Sequence, residues 1–351
     1  MAKSKTYILI TILLLAIIIA GVIYFRWSPA PEAEPPQADV NLPLVSNSPL
    51  PANSPVSPLS PPPTTASVGV QPIPEEIQAM IEQGIALYEN GQSQAALDLF
   101  NDILTEDPAN FLAYNGRGTV YTDQQDYDQA LADYTAAIEA NPLFPHAYYN
   151  RGRVYRLLDR NDEALADLQK AIDLAPAEFG YRANGNIGLI HHNQGEYDQA
   201  LEAFGKSIDA NIDNKADIYF FRGETYTALE NYEAAQRDYQ AAVDRFADYD
   251  EAYAGLGYAQ YKIGNFDEAQ QALNRALEIA PANTAAQLYS IVVAIAAGNP
   301  DQAQTAATQI SGQPVNPAIL NRVLTELDAL AAQYPDQAEA IDSIKGMLPT
   351  P

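Results

Sequence analysis

The side chains best suited to chemistry in this sequence are charged, and some recur at a fixed interval. Arg117, Arg151 and Arg222 are each followed sixteen residues later by an aspartate: Asp133, Asp167 and Asp238. A guanidinium offers a planar fork of donors that fits a carboxylate with two parallel hydrogen bonds. The spacing therefore predicts three structural ion pairs, each joining two helices; the alternative is that the pattern reflects common ancestry of three segments, and under either reading these arginines are structural. A second group lies between these pairs. Arg153 and Arg156 stand three residues apart, Arg182 follows, and Asn150 and Asn186 are neutral hydrogen-bonding neighbours. Such cations can converge on an anionic group.

Other chemistries find little material. There is no cysteine, which removes disulfides, thiolate metal sites, thiol nucleophiles and lipidated cysteine. Three histidines (His146, His191, His192) leave little for a metal site, and the adjacent pair would face directions about 100° apart on a helix. No HExxH, GxSxG or nucleotide-binding glycine loop is present. The segment DQQDYD at 123–128 lacks the glycine and final glutamate of a calcium loop. The expectation is a non-enzyme without metal or cofactor. With 19 Lys and Arg against 45 Asp and Glu, the net charge of −26 also argues against nucleic acid, whose phosphates require a basic footprint.

The elements that must position these residues are repeats. A glycine recurs at Gly84, Gly118, Gly152, Gly188, Gly223 and Gly257, and twelve residues after each stands an alanine, from Ala96 to Ala269. Sixteen after each glycine stands a large residue: Phe100, Tyr134, Leu168, Phe204, Tyr239 and Leu273. Apolar residues flank a short turn at helical spacing, so each unit reads as two antiparallel helices brought close by the small residues. Pro108, Pro142, Pro176 and Pro281 end second helices. The pattern resembles the tetratricopeptide repeat family over residues 75–310. Six units are clear, and a degenerate seventh keeps Ala303 but has Ile291 at the glycine place. The fourth and fifth units lack the proline, so the chain near 211–215 and 246–249 is expected to be looser. Two further helices, at 316–333 and 336–347, are expected to cap the open end within residues 311–351. The fold class is all-α, an α-solenoid.

The resemblance implies that the first helix of each unit lines a concave face that holds a peptide or helix. The candidates there are His146, Tyr149, Asn150, Arg153, Arg156, Arg182, Asn186 and His192. Some relatives clamp a carboxylate; Asn150 and Arg182 match two of the five clamp places, while Asn115, Thr119 and Asn186 depart from the others. Residues 145–192 hold six basic and six acidic residues, whereas the rest of 75–351 holds ten and 36. A protein or peptide partner with an acidic or carboxylate group is therefore expected at this neutral stretch.

Ahead of the repeats lie two other materials. Residues 7–25 carry no charge and would span roughly 28 Å as a helix, close to a bilayer core. They are expected to anchor the chain in a membrane, within residues 1–27. Lys3 and Lys5 before the run, against Arg26 after it, predict an extracytoplasmic repeat domain, as in a bacterial inner-membrane protein. Residues 28–74 hold 14 of the 25 prolines and read as a disordered tether able to reach on the order of 145 Å. The expected function is a membrane-anchored interaction scaffold; the alternative is a structural, self-assembling part of an envelope complex.

Overall fold

The computed structural model describes residues 73–210 and 216–349. The expected anchor at 7–25, nearly all of the tether and the segment 211–215 lie outside the described residues. No helix among the described residues is long and apolar enough to cross a membrane.

The described chain is helical hairpins in series. They pair α1 (Glu75–Glu89) with α2 (Ser93–Glu106), α3 (Phe111–Asp123) with α4 (Tyr127–Ala140), and α5 (Pro145–Leu157) with α6 (Asn161–Leu174). Next come α7 (Pro176–Asn193) with α8 (Tyr197–Asp209), and α9 (Ala216–Ala228) with α10 (Tyr232–Arg245). The sixth and seventh are α11 (Asp250–Lys262) with α12 (Phe266–Ile279), and α13 (Thr284–Ala296) with α14 (Pro300–Ile310). Two last helices follow, α15 (Pro317–Gln333) and α16 (Ala338–Lys345).

The repeated glycine has a steric cause. A Cβ on Gly188 would stand 2.6 Å from the Phe204 ring, and one on Gly257 would stand 2.6 Å from Leu273. The large residue sixteen positions on thus lies flat against the backbone of its partner helix. Phe100 goes further: it is wedged between Gly84 and Gly116, the second belonging to the next unit. The same residue type therefore closes one hairpin and seats the following one, and these rings are buried almost completely. Burying each of them contributes about 2–3 kcal/mol.

Successive first helices (α1, α3, α5, α7, α9, α11, α13) touch one another, while second helices make no comparable contact among the described residues. The stack is therefore curved with the first helices inside. The seventh hairpin forms despite its weak pattern, with Ile291 and Ala303 fully buried. After it the order changes. Helix α15 packs on α13, not chiefly on α14 as the next hairpin in the series would, and side chains of α15 reach α11. The two final helices were expected to close the end of the stack. They do bury apolar surface there, through Ile341, Ile344 and Leu348 among others. In addition, α15 folds back onto the inner face.

Candidate functional site

The three arginines and aspartates sixteen apart meet. Arg117 on α3 donates through Nε and Nη2 to Asp133 on α4 at 2.8 and 2.7 Å. Arg151 does so to Asp167 at 2.7 and 3.0 Å, and Arg222 to Asp238 at 2.7 Å for both bonds. Each aspartate is buried and each arginine half-buried. A tyrosine three residues earlier on the helix lies beside each guanidinium: Tyr114, Tyr148 and Tyr219, with ring centres 5.5–5.9 Å away. The bond to Asp133 holds the Arg117 pKa above its usual value although burial opposes it.

The spacing also works backwards, which the sequence reading missed. Arg117 Nη1 donates to Asn101 on α2 at 2.6 Å, and Arg151 Nη1 to Thr135 on α4 at 3.0 Å. Asn101 and Thr135 lie sixteen residues before their arginines, in the preceding unit. These guanidiniums thus tie three helices. Sixteen before Arg222 stands Lys206, a donor, which pairs with Glu202 at 2.7 Å instead.

The residues expected to bind a partner divide into two sets. Tyr149, Asn150, Arg156 and Asn186 are only 3%, 3%, 6% and 1% exposed, so they do not form the open surface that the sequence suggested. The reason is the close approach of successive inner helices, whose side chains bond across the seams. Asn150 Nδ2 donates to Asn115 Oδ1 on α3 at 3.1 Å, and Arg156 Nε to Asn186 Oδ1 on α7 at 2.9 Å. Asn186 in turn donates to the Arg182 carbonyl at 2.9 Å. Farther along, His192 Nδ1 lies 2.9 Å from Thr225 Oγ1 on α9. At the other end, the Tyr88 hydroxyl donates to Asp123 between α1 and α3. These bonds make a polar ladder from the first unit to the fifth. Burial, helped by the neighbouring Arg153 charge, pushes the Arg156 guanidinium down to about 10.

His146, Arg153, Arg182 and His192 remain half-exposed. His146 stacks on Phe144 at 5.0 Å, meets Phe179 edge-on at 5.0 Å, and places Nε2 3.0 Å from Glu178. Burial lowers its pKa; Glu178 opposes that and Arg182 adds to it. Arg153 lies over the Tyr149 ring at 5.8 Å, and its charge favours the ionised form of Asp123, whose carboxyl burial pushes up. Its field is thus partly offset from within the chain. Among the described residues there is no cluster of three metal-ligating side chains.

The inner face of the later units is arranged differently. Glu326 on α15 accepts from Tyr258 and Tyr261 hydroxyls at 3.1 Å each and from Lys262 Nζ at 2.6 Å, all on α11. Arg322, one turn earlier, donates to the Tyr289 hydroxyl on α13 at 3.0 Å and lies 5.2 Å from the Tyr258 ring centre. Tyr258 and Tyr289 stack at 4.5 Å. Burial raises the pKa of all three tyrosines, Tyr289 to about 12. Here one helix of the chain satisfies the inner-face polar groups.

Sequence comparisons agree with this architecture. Models of the tetratricopeptide repeat match residues 81–125 and 115–179, then 181–214, 209–282 and 264–327. The chain is 37% identical over 99 residues to the small glutamine-rich tetratricopeptide repeat-containing protein of Dictyostelium discoideum, covering 28% of this chain and 29% of that one. It is 30% identical over 107 residues to heat shock protein STI1 of Saccharomyces cerevisiae, covering 30% and 18%. The match thus spans less than a third of either relative's length. Among solved structures, Pseudomonas aeruginosa PilF superposes with a TM-score of 0.56 at 20% identity, over 61% of this chain and 96% of that one. PilW, a type IV pilus biogenesis factor, gives 0.52 at 18%, over 59% and 94%. Those two likenesses speak for the fold alone. With the repeat models together spanning most of the helical hairpins, the chain belongs to the tetratricopeptide repeat family.

Proposed function

We propose that this protein is a membrane-anchored, non-catalytic scaffold that captures a protein or peptide on the inner face of its second to fourth units. The observation that carries the reading is the contrast along that face. Among the described residues, no helix packs over the inner side of α3, α5 and α7, whereas α15 covers α11 and α13. The open part presents the half-exposed Arg153, Arg182, His146 and His192 in an otherwise strongly acidic chain. An acidic peptide or helix with a carboxylate suits the two arginines, and the surrounding excess of acid repels it from other surfaces. The apolar run at 7–25 would hold the scaffold to a membrane, with the repeats outside the cytoplasm and the proline-rich segment as tether. Tethering would raise the local concentration of the captured partner.

The test uses the full chain in detergent, with partners captured from native envelope extract. Reversing both cations, Arg153→Glu with Arg182→Glu, is expected to eliminate the captured species while thermal unfolding stays cooperative. Unchanged capture would exclude this face. Size by light scattering on dilution separates the scaffold from a self-assembling envelope component, which would remain an oligomer.

A further inference from the structure

We propose that Asn90 is a site of spontaneous covalent modification: its side-chain amide cyclises onto the backbone nitrogen of Gly91 and then hydrolyses to aspartate and isoaspartate. The product loosens the first hairpin from the rest of the stack. The inference does not depend on any partner of the repeats.

The chain contains three Asn–Gly pairs: Asn90–Gly91, Asn115–Gly116 and Asn184–Gly185. Glycine favours the reaction in each, because it puts no Cβ beside the attacking nitrogen and leaves the backbone free to rotate. The fold separates them. Asn115 is 1% exposed within α3, and its Oδ1 accepts from Asn150 Nδ2 at 3.1 Å. Asn184 lies half-buried within α7, and its Nδ2 donates to the Gly180 carbonyl at 2.7 Å. In both, the helix fixes the backbone on each side of the nitrogen that would attack. Asn90 instead lies just outside α1, in the exposed turn that leads to α2. Gly91 has φ +74°, and a Cβ there would meet no atom within 4 Å, so the turn has room to rotate. Its reacting groups are held by Gly91 N donating to the Tyr88 carbonyl at 2.9 Å and by Asn90 Nδ2 donating to the Ala86 carbonyl at 2.7 Å, an exposed bond. The other six hairpins carry Gln124, Leu158, Gln194, Leu229, Ile263 and Ala297 at this position, so unit one alone has the reactive pair in its turn.

In the first step the Gly91 nitrogen adds to Asn90 Cγ and gives up its proton. The side-chain nitrogen takes up a proton and leaves as ammonia, and a five-membered succinimide remains. Water then opens the ring. Cleavage of the new N–Cγ bond gives aspartate; cleavage of the original peptide bond gives isoaspartate, whose main chain is one methylene longer. Overall, one asparagine and one water become one acid and one ammonia. Gln194–Gly195 occupies the same turn of the fourth hairpin, at φ +75°, but would have to close a six-membered ring, so it is an internal control. The new acid puts negative charge at the C-terminal end of α1, where the helix dipole disfavours it, and it no longer donates to the Ala86 carbonyl. The longer main chain of isoaspartate also mismatches the turn bonds from Gly91 to Tyr88 and from Gln92 to Leu87. Tyr88 bonds Asp123 on α3, so the seam between units one and two weakens with the turn.

The experiment incubates the full chain in detergent at mildly alkaline pH. It follows the peptides containing Asn90, Asn115, Asn184 and Gln194 by mass spectrometry, with fragmentation that distinguishes isoaspartate. In the folded chain the Asn90 peptide should convert at least tenfold faster than the other three. In urea the three asparagines should converge, because the fold then protects none of them. Conversion at Asn90 no faster than at Asn115 or Asn184 in the folded chain would overturn the site. A difference that persists in urea would place the cause in the local sequence and overturn the role of the fold. Hydrogen exchange reads the consequence: amides of α1 and α2 should exchange faster after conversion than before, while those of α5 and α6 stay unchanged. Asn90→Gln should abolish both the conversion at this turn and the change in exchange. Exchange in α1 and α2 that conversion leaves unaltered would overturn the loosening.

Discussion

The two halves of the inner face solve one physical problem in opposite ways. Curvature brings successive inner helices together, and polar side chains that face inward there must find partners or lose stability. In units one to five the neighbouring units supply them, through Tyr88 with Asp123, Asn115 with Asn150, Arg156 with Asn186, and His192 with Thr225. In the later units α15 supplies them, through Glu326 and Arg322. The first solution leaves the surface of the groove open, and the second fills it. A polar inner face is therefore no sign of a binding site until the partner of each group is known.

That contrast can be tested by removing partners. The largest effect is expected at the ion pairs that hold each hairpin. Asp167→Ala leaves the half-buried Arg151 without its bidentate acceptor and should cost about 3 kcal/mol in urea unfolding. Asn186→Ala, in the open half, should cost about 2 kcal/mol, since it takes an acceptor from a buried guanidinium. Tyr261→Phe, in the filled half, should cost only about 1 kcal/mol, because Tyr258 and Lys262 still hold Glu326. A larger loss at Tyr261 than at Asn186 would reverse the assignment of which half relies on its own ladder.

A fourth prediction concerns pH. Burial, with the adjacent Asp250 adding to it, pushes the Glu251 carboxyl up to about 7 at the start of α11. The folded state then keeps a proton that the unfolded chain releases near 4.5. Stability from this group is present below about pH 4.5 and is lost as pH rises through about 7. Glu251→Gln should therefore gain about 1 kcal/mol at pH 8, part of what the full shift is worth, and nothing at pH 4. A midpoint that rises equally at both pH values would show a packing effect instead. The smallest change lies in the turns. Glu230 has φ +57°, where Gly91, Gly195, Gly264 and Gly298 serve four of the other hairpins and Gln125 and Asp159 the remaining two, so Glu230→Gly should raise stability by about 0.5 kcal/mol in the same assay.

Much of this fold was legible in the sequence because repetition multiplies a weak local signal. One glycine followed by a large residue sixteen positions on means little; six in register specify a helix pair packed ring against backbone. The Arg117, Arg151 and Arg222 pairs were legible for the same reason, since the glycine and its ring already fix which turns of the two helices face each other. The seams between units were not. That Asn150 meets Asn115 and Arg156 meets Asn186 depends on how far each unit rotates on the last, and no spacing within a unit encodes that rotation. Hence Tyr149, Asn150, Arg156 and Asn186, placed on an open surface from their positions in the repeat, are buried. The path of α15 was equally hidden, because a helix covering the end of a stack and one lying in its groove both show a single apolar stripe.

The sequence by itself determined the hairpin, its repetition and the ion pair within it, since these are short-range consequences of residue type and helical period. Tertiary structure alone decided which polar residues the stack uses and which it leaves partly exposed. Those outcomes depend on the curvature summed over several units, and that sum brings Glu326 to Lys262 across 64 residues of chain.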